Sequence, residues 1–366
     1  MKWSLAIIAR NNENTIGQTL ESVKLFIDEI IVVDTGSTDK TKEVAESHGA
    51  TTYDFEWIDD FAAARNFAFS KATGDWVMWL DTGDVVPPES QEKWAWLKST
   101  NIINQRPQNE ELIWAELNRC IEPQTGRITF HYPTPRLAYR AANPKWTGAV
   151  HEVLSTDNGV SWYFGEGSVN DPFGYDQKPT ERNIKILKRL LDEGDETPRT
   201  AYYYANELRD LERNEEAIAA YHAFLQKQHF TWEYYEALLS LSKVHKRMSQ
   251  DLEASGFLLQ AIYFAPQRAE AWLLIGDIAY ENQRWEQAIP FYRACIGAVA
   301  PNDGAPVFHP AYQHLPLERM AFCHLALDDV KTAVSLFHEA AKKATTPNDA
   351  KILKDFAKKL RASLQN

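Results

Sequence analysis

A short apolar run that ends on two acidic residues constrains the fold of this 366-residue chain more than any other feature. Residues 76–80 (WVMWL) lie between Gly74 and Gly83, and the run is too short for a free-standing helix. Such a run is typical of a strand buried on both faces of a parallel sheet. Asp81 and Asp84 follow it, and open α/β sheets bind ligands at the carboxyl ends of their strands. The run therefore predicts an α/β sheet with carboxylates at its ligand edge.

The same arrangement occurs twice upstream in the chain. Residues 29–33 (EIIVV) end on Asp34, and residues 3–9 (WSLAIIA) end on Arg10 and Asn11. Because parallel strands end at the same edge of a sheet, these polar residues are expected to converge with Asp81 and Asp84.

Segments with helical spacing separate the predicted strands, as in Ile16, Leu20, Val23 and Ile27. Ser37 or Thr38 is predicted to cap the second helix. The predicted strands cover 3–9, 29–33, 51–55 and 76–80, the predicted helices cover 16–27, 39–49 and 61–71, and two further strands of a mixed sheet cover 112–120 and 127–132. This alternation predicts a doubly wound α/β domain.

The predicted ligand edge lacks the glycine-rich signatures of common nucleotide sites. Neither GxGxxG nor GxxxxGK[ST] occurs after a predicted strand, so no phosphate is expected on a glycine-rich helix start. Carboxylates there can accept hydrogen bonds from a nucleoside, or a pair can hold a divalent cation that neutralises a diphosphate. Asp34 suits the first role, and Asp81 with Asp84 suits the second.

The second half of the chain shows an internal repeat. Small residues occupy matching helix positions at Ala217, Ala254, Ala288 and Ala333, and the period is near 34 residues apart from an insertion around 301–310. This spacing is typical of tetratricopeptide repeats, which stack paired helices into a solenoid. We therefore expect two domains, covering residues 1–177 and 178–366.

Composition limits the class of protein. The formal charge of -12 disfavours nonspecific nucleic-acid binding through a basic surface. Cys120, Cys295 and Cys323 are odd in number and far apart, which fits a reducing compartment and core-filling roles. The apolar run before Arg10 is too short for a signal peptide or a membrane span, so a cytoplasmic location is expected.

Four motifs in order, IIARNNENTI, VDTGSTDKT, DDFAAARNFAFSKATGDW and WLDTGD, resemble glycosyltransferase family 2 enzymes of GT-A fold. The resemblance is to the branch that carries C-terminal tetratricopeptide repeats. It implies that Asp34 contacts the nucleotide base and that the carboxylates after the WLD strand bind ribose and a Mn or Mg ion. The residues so expected to contact the nucleotide sugar are Arg10, Asn11, Glu13, Asp34, Gly36, Ser37, Arg65, Asn66, Asp81 and Thr82.

The chain departs from the family pattern at the metal side. Gly83 stands where the family has a second acid, which leaves Asp84 as the candidate partner of Asp81. The family has a histidine-containing stretch before a Gly-Tyr pair. Here the residues before Gly174 and Tyr175 include Asp171 and no histidine. Three alternatives follow: a rearranged metal site of Asp81, Asp84 and Asp171, a weaker dependence on a cation, or loss of catalysis.

The segment PRLAYRAANPKWTGAVHEVL, residues 135–154, resembles the acceptor side of the family. An inverting transfer needs a base beside the acceptor nucleophile. Glu152 is the expected base and His151 an orienting or metal-side group. Trp146 is either an acceptor-stacking ring or a core residue.

These features predict an inverting glycosyltransferase that uses a nucleotide diphosphate sugar, with UDP-sugars favoured. The expected acceptor is macromolecular: a peptide or protein, a saccharide or a modified nucleobase, the last disfavoured by the acidic charge. The repeats are expected to capture the acceptor or another protein partner, or to form a homodimer. The alternative is a catalytically silent domain that carries a repeat scaffold.

Overall fold

The structure is a computed structural model of the full chain. It describes residues 1–100, 103, 111–122, 127–157, 159, 161–171, 181–195, 197–227, 231–301, 305–344 and 347–363. The chain forms two compact units, one of Met1–Ile121 with His131–Lys178 and one of Glu122–Phe130 with Pro179–Asn366. The predicted domain boundary between residues 177 and 178 lies outside the described residues.

A central mixed sheet organises the first half of the chain. Its strand order is β3-β2-β1-β4-β6-β5-β9, and β7 and β8 form a separate pair. The strands are β1 (Trp3–Ala9), β2 (Glu29–Asp34), β3 (Thr51–Asp54), β4 (Trp76–Trp79), β5 (Leu112–Glu122), β6 (Arg127–Tyr139), β7 (Lys145–Thr147), β8 (Val153–Ser155) and β9 (Ser161–Asn170). The helices are α1 (Ile16–Glu21), α2 (Thr41–Ser47), α3 (Phe61–Lys71) and α4 (Pro88–Ser99).

Strands β1 to β4 are mutually parallel, as predicted, so their carboxyl ends share one edge. Alternate residues of β1 enter two apolar cores: Leu5 packs in the core that contains Trp94 of α4, and Ala6 in the core that contains Phe69 of α3. Because these strands are buried on both faces, their sequences are unbroken apolar runs. Strand β6 pairs antiparallel with β4, which makes the sheet mixed.

Two predicted helices are shorter than their apolar spacing indicated. Helix α1 ends at Glu21 because the Ser22 hydroxyl donates to the Thr19 carbonyl at 2.7 Å and accepts from Val86 N–H at 3.1 Å. Such local side-chain bonds compete with helical hydrogen bonds. Helix α2 begins only at Thr41, whose N–H donates to the Asp39 carboxylate at 3.0 Å.

The cap predicted for α2 at Ser37 or Thr38 is wrong. The Ser37 hydroxyl accepts from Asn11 N–H at 2.9 Å, and Thr38 N–H donates to the Asn11 side chain at 2.8 Å. Both residues therefore connect the loop after β2 to the loop after β1 instead of capping a helix.

The second half of the chain is built from consecutive helices, as predicted. They are α5 (Glu181–Asp192), α6 (Pro198–Asp210), α7 (Asn214–Gln226), α8 (Trp232–Arg247), α9 (Asp251–Phe264), α10 (Ala269–Glu281), α11 (Trp285–Ile296), α12 (Leu315–Ala326), α13 (Val330–Lys343) and α14 (Pro347–Ser363). The four repeat-marking alanines lie on α7, α9, α11 and α13 and have no exposed surface. Small residues there allow the paired helices to approach closely, which is the physical basis of the repeat.

Buried cysteines fill the helical core, as expected for Cys295 and Cys323. Among the described residues, no helix combines the length and the apolar character needed to cross a membrane.

Candidate functional site

The carboxyl ends of β1, β2 and β4 form one edge, and the predicted acidic residues lie there. Ala9 at the end of β1 is the register partner of Asp34 at the end of β2. Strand β4 is parallel to β1 with Ala6 opposite Trp79, so Asp81 emerges at the same edge. The geometry thus brings together the two acids that the sequence separates by 47 positions.

Asp34 closes a tight turn and keeps one oxygen unused. Its Oδ1 accepts from the backbone N–H groups of Gly36 at 2.9 Å and Ser37 at 2.8 Å, and Gly36 has φ +103°, which favours glycine. The residue is 2% exposed, and its Oδ2 accepts no hydrogen bond from the described residues. A buried carboxylate oxygen in this state is an acceptor available to a ligand.

The loop after β1 is held against the loop after β2. Asn11, at φ +53°, binds Ser37 and Thr38 through its backbone and side chain. Glu13 accepts from Lys40 N–H at 3.0 Å, and Arg10 is exposed beside them. The structure therefore places Asn11 and Glu13 as supports of the turn that carries Asp34.

Arg65 of α3 joins two predicted site acids. Its Nη2 donates to Asp81 Oδ1 at 2.6 Å, and its Nε donates to Glu152 Oε1. Burial alone lowers the pKa of the Arg65 guanidinium, but the charges of Asp81 and Glu152 outweigh it and raise that pKa above its ordinary value. The guanidinium is therefore a permanent cation between two carboxylates.

Two tryptophan rings fix the position of this guanidinium. The Arg65 Cζ lies 4.7 Å from the Trp79 ring centroid and 4.9 Å from that of Trp146. The two rings meet edge to face at 4.9 Å. Arg65 Nη1 is buried and has no hydrogen-bond partner among the residues that the structure describes. The N–H donors of Nη1 on this rigidly held cation thus remain available.

Asn66, which is expected at the nucleotide-sugar site, and Trp146, expected either to stack on the acceptor or to fill the core, bind each other. The Asn66 amide donates to the Trp146 carbonyl and accepts from Trp146 N–H, each at 2.9 Å, which fixes β7 on α3. Trp146 is 3% exposed and packs against Phe69 and Trp79. We therefore assign Trp146 to the core and not to acceptor stacking, because its ring is covered.

Glu152 and His151 lie in the turn between β7 and β8. The Glu152 side chain is 11% exposed, and His151 adopts φ +54°. The Ala149 carbonyl accepts from Phe61 N–H at 2.8 Å, which docks this turn on the start of α3. The turn therefore presents Glu152 to Arg65, although the two residues are 87 positions apart.

The predicted metal ligands differ in their exposure. The Asp81 side chain is 47% exposed, whereas Asp84 is 4% exposed and its Oδ2 accepts from the fully buried Arg136 at 3.0 Å. Burial raises the pKa of the Asp84 carboxyl, and the charge of Arg136 opposes the rise. Asp171 is 6% exposed.

Of the described residues, no three His, Cys, Asp or Glu side chains lie close enough to hold a metal ion. Thr82, half-buried in the turn after β4, supplies no acidic ligand. The residues present therefore do not fit the expected divalent cation. Gly174 and Tyr175, which mark the end of the family's histidine stretch, lie outside the described residues.

Sequence reasoning missed Arg136. It lies in β6 within the run RLAY, and an arginine inside an apolar strand signals a buried ion pair. Its Cζ lies 4.2 Å from the Trp79 ring centroid, so Trp79 contacts both Arg65 and Arg136.

Comparison with known proteins gives a family match at the amino-terminal end. The family model described as Glycosyl transferase family 2 matches residues 4–95. A TPR repeat-containing protein of Synechococcus elongatus is 39% identical over 127 residues, which cover 35% of this chain and 29% of that protein. The SPbeta prophage-derived glycosyltransferase SunS of Bacillus subtilis is 27% identical over 224 residues, which cover 58% of this chain and 50% of that protein.

Among solved structures, that of MamA is similar at 18% identity and a TM-score of 0.37, and the match covers 44% of this chain and 85% of that chain. The chain spans half or less of the length of the two curated relatives named above.

Proposed function

We propose that this chain, whose residues 4–95 match the glycosyltransferase family 2 model, transfers a sugar from a nucleotide diphosphate sugar to a macromolecule with inversion at the anomeric carbon. One observation carries the proposal: Arg65 holds Asp81 and Glu152 together, at the edge where Asp34 keeps a buried acceptor unused. A donor-side acid and a base are thereby fixed relative to each other.

The donor is a UDP-sugar in this proposal. Asp34 Oδ2 accepts a hydrogen bond from an N–H of the base, because a buried carboxylate oxygen without a partner requires a hydrogen-bond donor. The half-exposed Asp81 accepts from the ribose hydroxyls. Arg65 lies next to Asp81 and attracts the diphosphate.

Transfer takes place in one displacement. Glu152 takes the proton of an acceptor hydroxyl while the oxygen of that hydroxyl bonds to the anomeric carbon. The bond from that carbon to the diphosphate oxygen breaks, and the nucleoside diphosphate leaves with the electron pair. Since attack and departure take place on opposite faces, the configuration inverts. His151 orients the acceptor beside Glu152.

The acceptor is a macromolecule, and a peptide or protein fits best. Stacked helix pairs α6 to α13 are suited to extended partners, because a solenoid presents a long continuous face. The formal charge of -12 disfavours a nucleic-acid acceptor.

The test is release of nucleoside diphosphate from a panel of UDP-, GDP- and dTDP-sugars by the full chain, with mass spectrometry of peptide and saccharide acceptors. We expect release with a UDP-sugar and its loss in Asp81→Asn. The matched control is Asp75→Asn, because Asp75 precedes β4 at the opposite edge and accepts from Lys2 N–H. Absence of release from every donor favours the silent scaffold.

A further inference from the structure

The two acids placed to hold a cation already have guanidinium partners. Asp81 binds Arg65 at 2.6 Å, and Asp84 binds Arg136 at 3.0 Å. We propose that the donor site works without a divalent cation, with Arg65 supplying the positive charge for the diphosphate and Arg136 neutralising Asp84. This inference rests on the proposed function and names how that site handles the diphosphate.

Arg136 neutralises Asp84 from inside the protein. Its side chain has no exposed surface, its Cζ stacks 4.2 Å from the Trp79 ring centroid, and it lies on β6 beside β4. A divalent cation bound to Asp84 would lie within a few ångströms of this fixed positive charge, where like charges repel strongly at low dielectric. Asp84 is thus a counter-ion of Arg136 and keeps the turn after β4 in place.

The orientation of Asp84 also opposes metal binding. Its Oδ2 accepts from Asp81 N–H at 3.2 Å as well as from Arg136, so this oxygen is directed into the sheet. Asp81 presents its carboxylate to solvent and to Arg65. Mn²⁺ and Mg²⁺ require several oxygen ligands around one centre, and no group of three Asp, Glu, His or Cys side chains among the described residues provides one.

Arg65 supplies a fixed positive charge next to Asp81. It shares the site edge with Asp81, and Nη1 keeps a hydrogen-bond donor without a partner in the described part of the chain. A preorganised guanidinium stabilises the charge that develops on a departing diphosphate, because it needs no reorganisation during the reaction. Arg136 is a positioning residue, since its burial keeps it from the donor.

The test is titration calorimetry of the full chain with UDP, once in excess EDTA and once in saturating MnCl₂. A further titration uses MnCl₂ alone. We expect dissociation constants for UDP that agree within about threefold between the two conditions and no saturable heat from Mn²⁺ alone. UDP affinity that is more than about tenfold higher with Mn²⁺ overturns the inference.

Two variants separate the roles. Asp84→Asn is expected to keep the ratio of UDP affinities with and without Mn²⁺ near one, whereas loss of an existing Mn²⁺ effect in this variant identifies Asp84 as a metal ligand. Arg65→Met is expected to weaken UDP binding at least about tenfold under both conditions. An unchanged UDP affinity in Arg65→Met overturns the proposal that the Arg65 charge binds the diphosphate.

The outcomes also separate this inference from the proposed function. UDP binding that requires Mn²⁺ overturns the inference and leaves the transferase proposal intact. Absence of UDP binding under both conditions overturns both.

Discussion

The Arg65 guanidinium donates to the Asp81 carboxylate at 2.6 Å while its Nε binds Glu152. Arg65 of α3 thus sets the distance between Asp81, which follows β4, and Glu152, which precedes β8. The edge-to-face pair of Trp79 and Trp146 keeps the guanidinium in place. The relative position of Asp81 and Glu152, the proposed donor-side acid and base, therefore depends on a buried cation.

Replacing Arg65 by Lys is expected to abolish detectable transfer and to lower the melting temperature. A lysine has one nitrogen on a flexible stem and cannot donate to two carboxylates in a fixed fork. Because the charge is kept, we expect the loss to be that of hydrogen bonds to charged groups, about 1 to 3 kcal/mol of unfolding free energy. Thermal unfolding and the release assay measure the two effects.

The control for Arg65→Lys is Ser70→Ala on the same helix, where the exposed Ser70 hydroxyl donates to the Phe67 carbonyl at 2.7 Å. We expect this control to change neither readout. A normal transfer rate together with normal stability in Arg65→Lys contradicts the role assigned to Arg65.

Glu152→Gln tests the proposal that Glu152 is the base. The amide keeps its shape and can still accept from Arg65 Nε, but it cannot take a proton, so kcat is expected to fall by about 10² to 10⁴. UDP affinity measured by calorimetry is expected to stay within about threefold. His151→Gln is the comparison: a larger loss of kcat in that variant than in Glu152→Gln assigns the base to His151.

Two helical glycines provide a matched pair for the repeat unit. A Cβ on Gly276 would lie 2.7 Å from the fully buried ring of Tyr292, whereas a Cβ on Gly256 meets nothing within 4 Å. Gly276→Ala is expected to destabilise the helices by about 1 to 3 kcal/mol through overpacking. Gly256→Ala is expected to stabilise them by up to about 1 kcal/mol through helix propensity. Urea unfolding followed by circular dichroism measures the free energy of unfolding of both variants. Equal changes in the two variants would contradict the prediction.

Glu29 at the start of β2 makes stability depend on pH. Burial raises the pKa of its carboxyl, but hydrogen bonds from Ser4, Thr73 and Lys2 outweigh burial and lower that pKa to about 2. The folded pKa is below the unfolded value, so this stabilisation is present above about pH 4.5 and is lost as the pH falls towards 2.

Glu29→Gln is therefore expected to lower the free energy of unfolding at pH 7 by about 1 to 2 kcal/mol and to flatten its decline below pH 4.5. Urea unfolding at a series of pH values measures both. A parallel shift of the variant at every pH contradicts the linkage.

Apolar runs and helical spacing predicted the fold well. Strand β1 and helix α3 occupy the residues expected from the sequence, because burial on both faces and a capping Asp60 leave a clear pattern. The end of α1 at Glu21 was not predicted, since it depends on hydrogen bonds from Ser22 to Thr19 and from Val86 to Ser22. The second of these forms only when distant segments meet.

The candidate site was predicted less completely. The positions of Asp34 and Asp81 follow from parallel strand ends, which sequence spacing reveals. The Arg136–Asp84 ion pair crosses from β6 to the turn after β4, a separation of 52 residues that no local pattern encodes. A tryptophan can stack on a sugar or fill a core, and sequence does not distinguish the two roles. In the structure the Trp146 ring is buried in the core.

Titration calorimetry with UDP on the unmodified chain, on Asp34→Asn and on Asp54→Asn tests the central claim most directly. Asp34 and Asp54 are neighbours in the β2–β3 register, but the Asp54 side chain is 77% exposed and pairs with Lys42. We predict that UDP binds the unmodified chain and Asp54→Asn equally, and Asp34→Asn at least about tenfold more weakly. Equal UDP affinity in all three proteins, or no UDP binding by the unmodified chain, would contradict a nucleotide-sugar site at this sheet edge.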